Sequence, residues 1–482
     1  MLAKKFAQKF IYIIISQVLS FISSIFVARL GGAAIFGNFG LATAYQDLFR
    51  SLIANSTNSA HLKIYSEDSK CGLKTFSLLS LFLMLLSDSL ILGWVIYNFS
   101  SDNPVLSNLQ TVLILLFILQ DFIILPSFIA STDCVSRLEI NKSNLISFIP
   151  LFLTNIFKII AVAIGYKEIG IAIFMLIASL LGTIYPLRLL RNASWNNFNL
   201  EWLKKYARYS LYISAGALAH GVLLSYDKML LGFLRVSPEN IGYYNAGNKL
   251  GLLLMTIGVS VGGIFMAIFS KNVVEKNNET TLNQLKQYER YIMIIFAPLI
   301  IAAMLLGKDL LLYIFGKGFE IGYVVLNISL IVALTKTLTV PYHNLLFANN
   351  KFRLFNIISI SYTIIIVTMT TSIGYLNPFN NILLSVSFGL FLAGISEKII
   401  YTFFSKQTDH RIRIIFYPYI LLFFIISYLI GKYLLMDALI NFNIYFKSIV
   451  VTMFLLATII LGFIIGIYEK SDITMITNIL KK

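Results

Sequence analysis

A few ionisable side chains interrupt the long apolar runs of this 482-residue sequence, and their types set what chemistry the chain could perform. Arg50, Lys158, Lys249 and Lys336 are cations well inside such runs. Arginine and lysine supply the charge-assisted hydrogen bonds that phosphate oxygens accept, so these four are candidates for holding a diphosphate group. Asp47, His220, Asp227 and His343 are the candidates for carrying a proton or coupling ion. Each has a plainer reading. Asp47 and Arg50 stand three residues apart on one helix face and could simply neutralise each other. Lys228 can snorkel, and Asp227 can tie the turn that follows it. His220 lies two turns before Asp227 on the same face, which suits a proton relay or a structural pair. Lys249 and Lys336 have no acidic residue within four positions, so each needs a partner from another helix or a ligand.

Lys336 leads into Thr337, Thr339, Pro341, His343 and Asn344. A proline in mid-span removes a backbone hydrogen bond, so this stretch is expected to break or kink and free carbonyls beside polar side chains. Glu397 and Lys398 read as an anchor at the membrane interface. Asp88 and Asp121 read as buried carboxylates, either protonated or ion-coupled. Covalent chemistry has no motif here. A phosphate-cradling G-x-x-x-x-G-K-[ST] is missing, and four scattered His and two Cys, Cys71 and Cys134, make no metal cluster and no disulfide framework. Neither a catalytic residue nor a cofactor is expected, apart from coupling to H+ or Na+.

The elements that position these groups must be membrane helices. The chain is 58% hydrophobic and only 12% charged, with mean hydropathy +0.82, whereas a soluble domain carries roughly 25% charged residues. Its apolar runs are about twenty residues long, enough to cross ~30 Å of hydrocarbon. Continuous runs of this length exclude a β-barrel. Spans are expected near 10–30, 37–60, 75–97, 109–131, 144–164, 169–189, 206–232, 241–269, 290–315, 321–347, 353–375, 381–404, 413–433 and 447–468. The first follows Lys4, Lys5 and Lys9 but runs on to Leu30 without a clean cleavage site, so it reads as a retained span. Alternating connections carry 25 of the 38 Lys and Arg on one side and seven on the other, which puts both termini in the cytoplasm. The net charge of +16 is therefore a topology signal and not a nucleic-acid footprint.

Two stretches share one layout. RLGGAAIFG closes the first span and GNFGLATAYQ opens the second; DKMLLG closes the seventh and IGYYNAG opens the eighth. Gly37 and Gly242 are 205 residues apart, and the I-G-Y glycines, Gly165 and Gly374, are 209 apart. Six helices per copy is an even number, so the copies share one orientation, as in transporters related by an axis along the membrane normal. The R-L-G-G-x-x-x-F-G and D-K-x-x-L-G…I-G-Y-Y-x-A turns resemble those of the Wzx-type polysaccharide flippases, in the multidrug/oligosaccharidyl-lipid/polysaccharide (MOP) superfamily.

The resemblance implies an all-α integral membrane protein of about fourteen helices, two parallel six-helix repeats of MATE- and MurJ-like kind plus two C-terminal helices. Residues 1–200 would form the first bundle, 201–405 the second, and 406–482 the added pair and tail. It further implies a non-enzymatic flippase of a bacterial inner or plasma membrane. An undecaprenyl-diphosphate-linked repeat unit for O-antigen, capsule or exopolysaccharide would move to the outer leaflet by alternating access. Expected partners are that lipid-linked oligosaccharide, membrane lipids, and a polysaccharide polymerase or other assembly proteins. Two readings stay open beside it, a multidrug or cation antiporter of the same superfamily and a flippase of a lipid-linked cell-wall precursor. The antiporter would need an acid-dominated cavity, and the mid-span charges here lean basic.

Overall fold

The structure is a computed structural model that describes residues 2–51, 54–67, 72–101, 103–191, 193, 195, 198–274, 278–349, 351–405, 418–436, 438–439 and 442–464. Cys71, the basic cluster at 406–413 and the C-terminal Lys470, Lys481 and Lys482 lie outside them. Among the described residues the regular elements are all helical: α1 (Leu2–Ser51), α2 (Ala54–Glu67), α3 (Leu73–Ser100), α4 (Asn108–Ser136), α5 (Ile140–Ala163), α6 (Glu168–Arg191), α7 (Leu200–Phe233), α8 (Pro238–Val274), α9 (Asn278–Leu305), α10 (Gly307–Phe315), α11 (Tyr323–Ala348), α12 (Phe352–Leu376), α13 (Ile382–Ser405), α14 (Pro418–Ile430) and α15 (Ile444–Ile464). Ten helical runs among them are long and apolar enough to span a bilayer. This is the all-α membrane architecture that the apolar runs require, because lipid leaves backbone groups no partner outside their own helix.

Turn chemistry explains where the first spans meet. α1 is continuous in hydrogen bonding but reverses at Gly32, with φ 85° and ψ 174°, a conformation that only glycine takes cheaply. The second span therefore starts at Ala33, a turn before Gly37. The corresponding later turn uses no glycine: α7 runs past Gly232 to Phe233, and Arg235 takes the positive φ of 54° before α8 starts at Pro238. Gly37 and Gly242 thus each sit one turn inside a helix.

Two compact units divide the chain, one of residues 1–249 and 351–396, the other of 250–350 and 397–482. Compactness and sequence repetition are different divisions, and here they fall at different residues. In the first unit α1 packs against α4, α5 and α7, and α7 packs against α12. α1 and α8 cross closely at Gly37 and Gly242. A Cβ at Gly37 would meet the Pro238 carbonyl, and one at Gly242 would meet the Ala33 carbonyl. Asn245 lies over Gly40 and its amide donates to the Phe36 carbonyl at 3.4 Å. These contacts are reciprocal, since 33 and 238, 37 and 242, and 40 and 245 are each 205 apart, as a local two-fold relation demands.

In the second unit α9 packs against α11, α14 and α15. Lys447 of α15 reaches both carboxylate oxygens of Asp309 in α10, at 2.9 and 3.0 Å, so a cation on the appended helix is neutralised within its own unit.

Candidate substrate and coupling sites

The first unit gathers three of the four expected cations. Asp47 and Arg50 lie one turn apart near the end of α1, Lys158 in the middle of α5, and Lys249 twelve residues into α8. Asp47 is exposed, while Lys158 and Lys249 are half-buried. The charges feel one another: Asp47 lies in the fields of Lys228, Arg50 and Lys249, and Lys158 in that of Lys249. Arg50 does not close on Asp47, its neighbour along the helix. Its Nη1 stands 3.0 Å from Asp121 Oδ1 of α4, and 39% of its side chain remains exposed. Lys228, expected to snorkel, is instead buried and donates to the Leu224 carbonyl at 2.7 Å. Asp227, beside it on α7, and Asp47 both lie in the field of Lys228, so the lysines Lys158, Lys228 and Lys249 face two acids, one exposed and one buried.

Asp227 has a different environment from its neighbours in sequence. It is fully buried. Its Oδ1 accepts the Lys228 backbone N–H at 2.8 Å, and its Oδ2 accepts the Tyr244 hydroxyl at 2.7 Å and the Asn248 amide at 3.0 Å. Three donors on one carboxylate are the hallmark of a structural anchor, here tying α7 to the first turns of α8. His220, on the same helix face by spacing, is exposed, so the two expected relay partners occupy unlike surroundings.

The second unit holds Lys336 and His343 in a dense polar network. Lys336 Nζ lies 2.6 Å from Glu397 Oε1, His343 Nε2 lies 3.2 Å from the same oxygen, and Thr339 donates to Glu397 Oε2 at 3.3 Å. The partner that Lys336 lacks along its own helix thus comes from α13. Beside it, Lys398 Nζ and the Tyr342 hydroxyl both reach Glu289 Oε1, at 2.7 and 2.6 Å. Glu397 and Lys398 are 2% and 5% exposed. The interfacial-anchor reading of this pair is therefore corrected: both are buried, and each ends in an ion pair. α11 is also not broken at Pro341. The proline leaves the Thr337 carbonyl without its intrahelical donor, and the Tyr288 hydroxyl supplies one at 2.9 Å.

Residues 26–321 match the model of a family described as polysaccharide biosynthesis protein. The chain belongs to that family. Its fold is the one seen in MOP superfamily transporters. A lipid II flippase, MurJ, in an inward closed conformation is similar over 96% of this chain and all of its own, with 16% identity and a TM-score of 0.72. An inward-facing MATE-family multidrug resistance transporter is similar over 82% of this chain and 96% of its own, with 13% identity and a TM-score of 0.62. A MOP superfamily transporter from Pyrococcus furiosus follows at 14% identity, 84% and 95% coverage and a TM-score of 0.57. No curated protein matches the chain. The fold is thus one seen in multi-pass membrane transporters.

For this polysaccharide-biosynthesis protein, sequence reasoning missed the pairings that complete each cluster, although it had singled out Asp121 itself as a buried carboxylate. Asp121 lies 71 residues from Arg50, and Glu289 lies 109 from Lys398, so no local pattern joins them. Tyr244 and Asn248 could have been found: their i, i+4 spacing puts two donors on one face of α8, opposite the acid just before the turn.

Proposed function

We propose that the chain flips a polyprenyl-diphosphate-linked oligosaccharide from the cytoplasmic to the outer leaflet of a bacterial inner or plasma membrane, with both termini cytoplasmic. The reading is carried by Lys158, Lys228 and Lys249 in one membrane bundle, three cations that face two acids, the exposed Asp47 and the buried Asp227. Charges in a membrane bundle face a wet interior, and an unbalanced set of cations there suits an anionic substrate. Lys158 and Lys249 are the primary diphosphate ligands in this proposal, with Arg50 able to join by leaving Asp121. Lys336 enters only if Glu397 releases it.

Coupling to a proton or sodium gradient is part of the proposal. Asp47 and His220 are the exposed groups for it, His343 acts through Glu397, and Asp227 is the weakest candidate because its oxygens are bonded. The glycan would be built and used by other assembly proteins, a polymerase among them, in O-antigen, capsule or exopolysaccharide synthesis. The test is export in a cell lacking its own flippase, with Lys158→Ala, Lys249→Ala and Lys336→Ala compared at equal membrane abundance. Surface glycan restored by the intact chain and lost with the two first-unit lysines supports the reading. Export by all variants removes the anion site. Rising efflux of cationic dyes without surface glycan replaces the reading with an antiporter of the same fold.

A further inference from the structure

The first unit contains a cavity of about 30 Å³ with a few polar groups on its wall, room for one or two waters. It lies between α1, α2, α3 and α4, lined by Arg50, Thr57, Ser80, Ser87, Asp88 and Asp121 and closed by apolar side chains of α3 and α4. Five of these residues are almost completely enclosed: Thr57 is 1% exposed, Ser80, Ser87 and Asp88 are 3% exposed and Asp121 is 5% exposed. Asp88 Oδ2 and Ser80 Oγ make no hydrogen bond among the described residues. The cavity therefore holds bonding capacity that the protein itself leaves unused.

Its charges do not balance. The charged groups that reach Asp88 are Asp121 and Arg50, and those that reach Asp121 are Arg50 and Asp47. Asp47 has Lys228 and Lys249 to answer it, which leaves two enclosed carboxylates against one guanidinium. An uncompensated carboxylate is not kept in such a place; two acids sharing a site hold a proton between them instead. A proton cancels this surplus on the carboxyl itself and needs no shell of ligands from the cavity wall.

We propose that Asp88 and Asp121 form a proton-carrying site that holds one exchangeable proton between them, filled through the water of this cavity. The proton adds to a carboxylate oxygen from water and returns to it, with no other bond made or broken. Arg50 fixes the count. While it pairs with Asp121, one carboxylate is compensated and the other carries the proton. If Arg50 turns to an anion, Asp121 loses its counter-charge and takes a second proton, so anion capture and proton uptake favour each other. That last step rests on the anion-binding reading of Arg50; the proton site does not.

Infrared difference spectroscopy of the full chain in lipid nanodiscs tests it without substrate, so its result is independent of the export assay. At neutral pH the intact protein should show a protonated-carboxyl stretch that shifts in heavy water and disappears on alkalinisation. Asp88→Asn and Asp121→Asn should each abolish it, because either leaves one acid balanced by Arg50. Asp88→Glu, which keeps the acid, should retain it, and Arg50→Gln should increase it. Asp133→Asn, which removes the carboxylate that faces Arg137 and His61 outside this cavity, should leave it unchanged. A band that survives both Asn variants, no band in the intact chain, or a band that responds to sodium and not to pH would overturn the proposal.

Discussion

The two units treat buried charge in opposite ways. In the second, every basic group of the central network closes on an acid: Lys336 on Glu397, Lys398 on Glu289, Lys447 on Asp309. In the first, Lys158, Lys228 and Lys249 crowd one another and face two acids, Asp47 and Asp227, and Arg50 is held by a carboxylate on another helix. Charge matched within the protein supports structure, and charge left over is available to a ligand. On the proposed function, the second unit's matched charges are structural in this region and the first unit's surplus is what a ligand would meet.

The largest expected effect breaks the scaffold side of the comparison. Glu397→Gln leaves Lys336 buried without its anion and removes an acceptor from His343 and Thr339, and orphaning one partner of a buried pair costs about 3–5 kcal/mol. Thermal unfolding in nanodiscs should drop sharply for Glu397→Gln. The double variant Lys336→Met/Glu397→Leu should recover most of the loss, because no charge is then stranded. If the single variant is as stable as the parent, the network is not structural and Lys336 returns as a ligand candidate.

On the ligand side, Lys249→Ala should do the reverse. Removing one of several crowded cations relieves repulsion, so stability should hold or rise slightly. Flippase activity at equal abundance should fall roughly ten- to a hundred-fold, the equivalent of one charge-assisted bond of about 1.5–3 kcal/mol. A variant that loses stability and activity together would place Lys249 with the second unit's lysines.

A smaller effect is expected where the two sequence copies meet. Gly37→Ala must push the Pro238 carbonyl away, and overpacking of this kind costs about 1–3 kcal/mol. Gly93, with nothing within 4 Å of an added Cβ, is the control: Gly93→Ala in mid-helix should gain about 0.5–1 kcal/mol. Equal responses in thermal unfolding would mean that the crossing of α1 and α8 is not a tight contact.

What was legible follows from the range of the forces. The helical class and most span positions were legible because hydrocarbon demands twenty apolar residues in a row. The turns after the first and seventh spans were both legible, but the residue that bears the strain was legible only in the first, where glycines stand ready for a positive φ; nothing in Arg235 announces that conformation. The I-G-Y endings look alike in sequence but differ in structure. Gly165 has φ 94° and closes α5, while α12 runs past Gly374 to Leu376 and Asn377 takes φ 42°. The cations were legible as a set, and their sorting was not. Whether Lys336 is a ligand or a strut depends on Glu397, 61 residues away, and pairings across such distances leave no period in the chain.

Asp227 is the acid that sharpens the comparison most finely, because it lies in the first unit but is satisfied like those of the second. Tyr244→Phe removes one of its three donors and leaves the Lys228 N–H and the Asn248 amide in place. A hydrogen bond to a charged group contributes about 1.5–3 kcal/mol, and with two donors remaining the loss should fall near the lower figure, about 1.5 kcal/mol. Export measured across pH at matched abundance then separates the two roles. If Asp227 only ties α7 to α8, the stability loss appears and the pH profile of export keeps its shape. If it carries the coupling proton, the lost donor makes its carboxylate form less favourable, and the activity limb governed by that ionisation moves to higher pH. A shifted limb would show that satisfied and functional acids can share one helix, and that leftover charge alone does not mark the working groups of this fold.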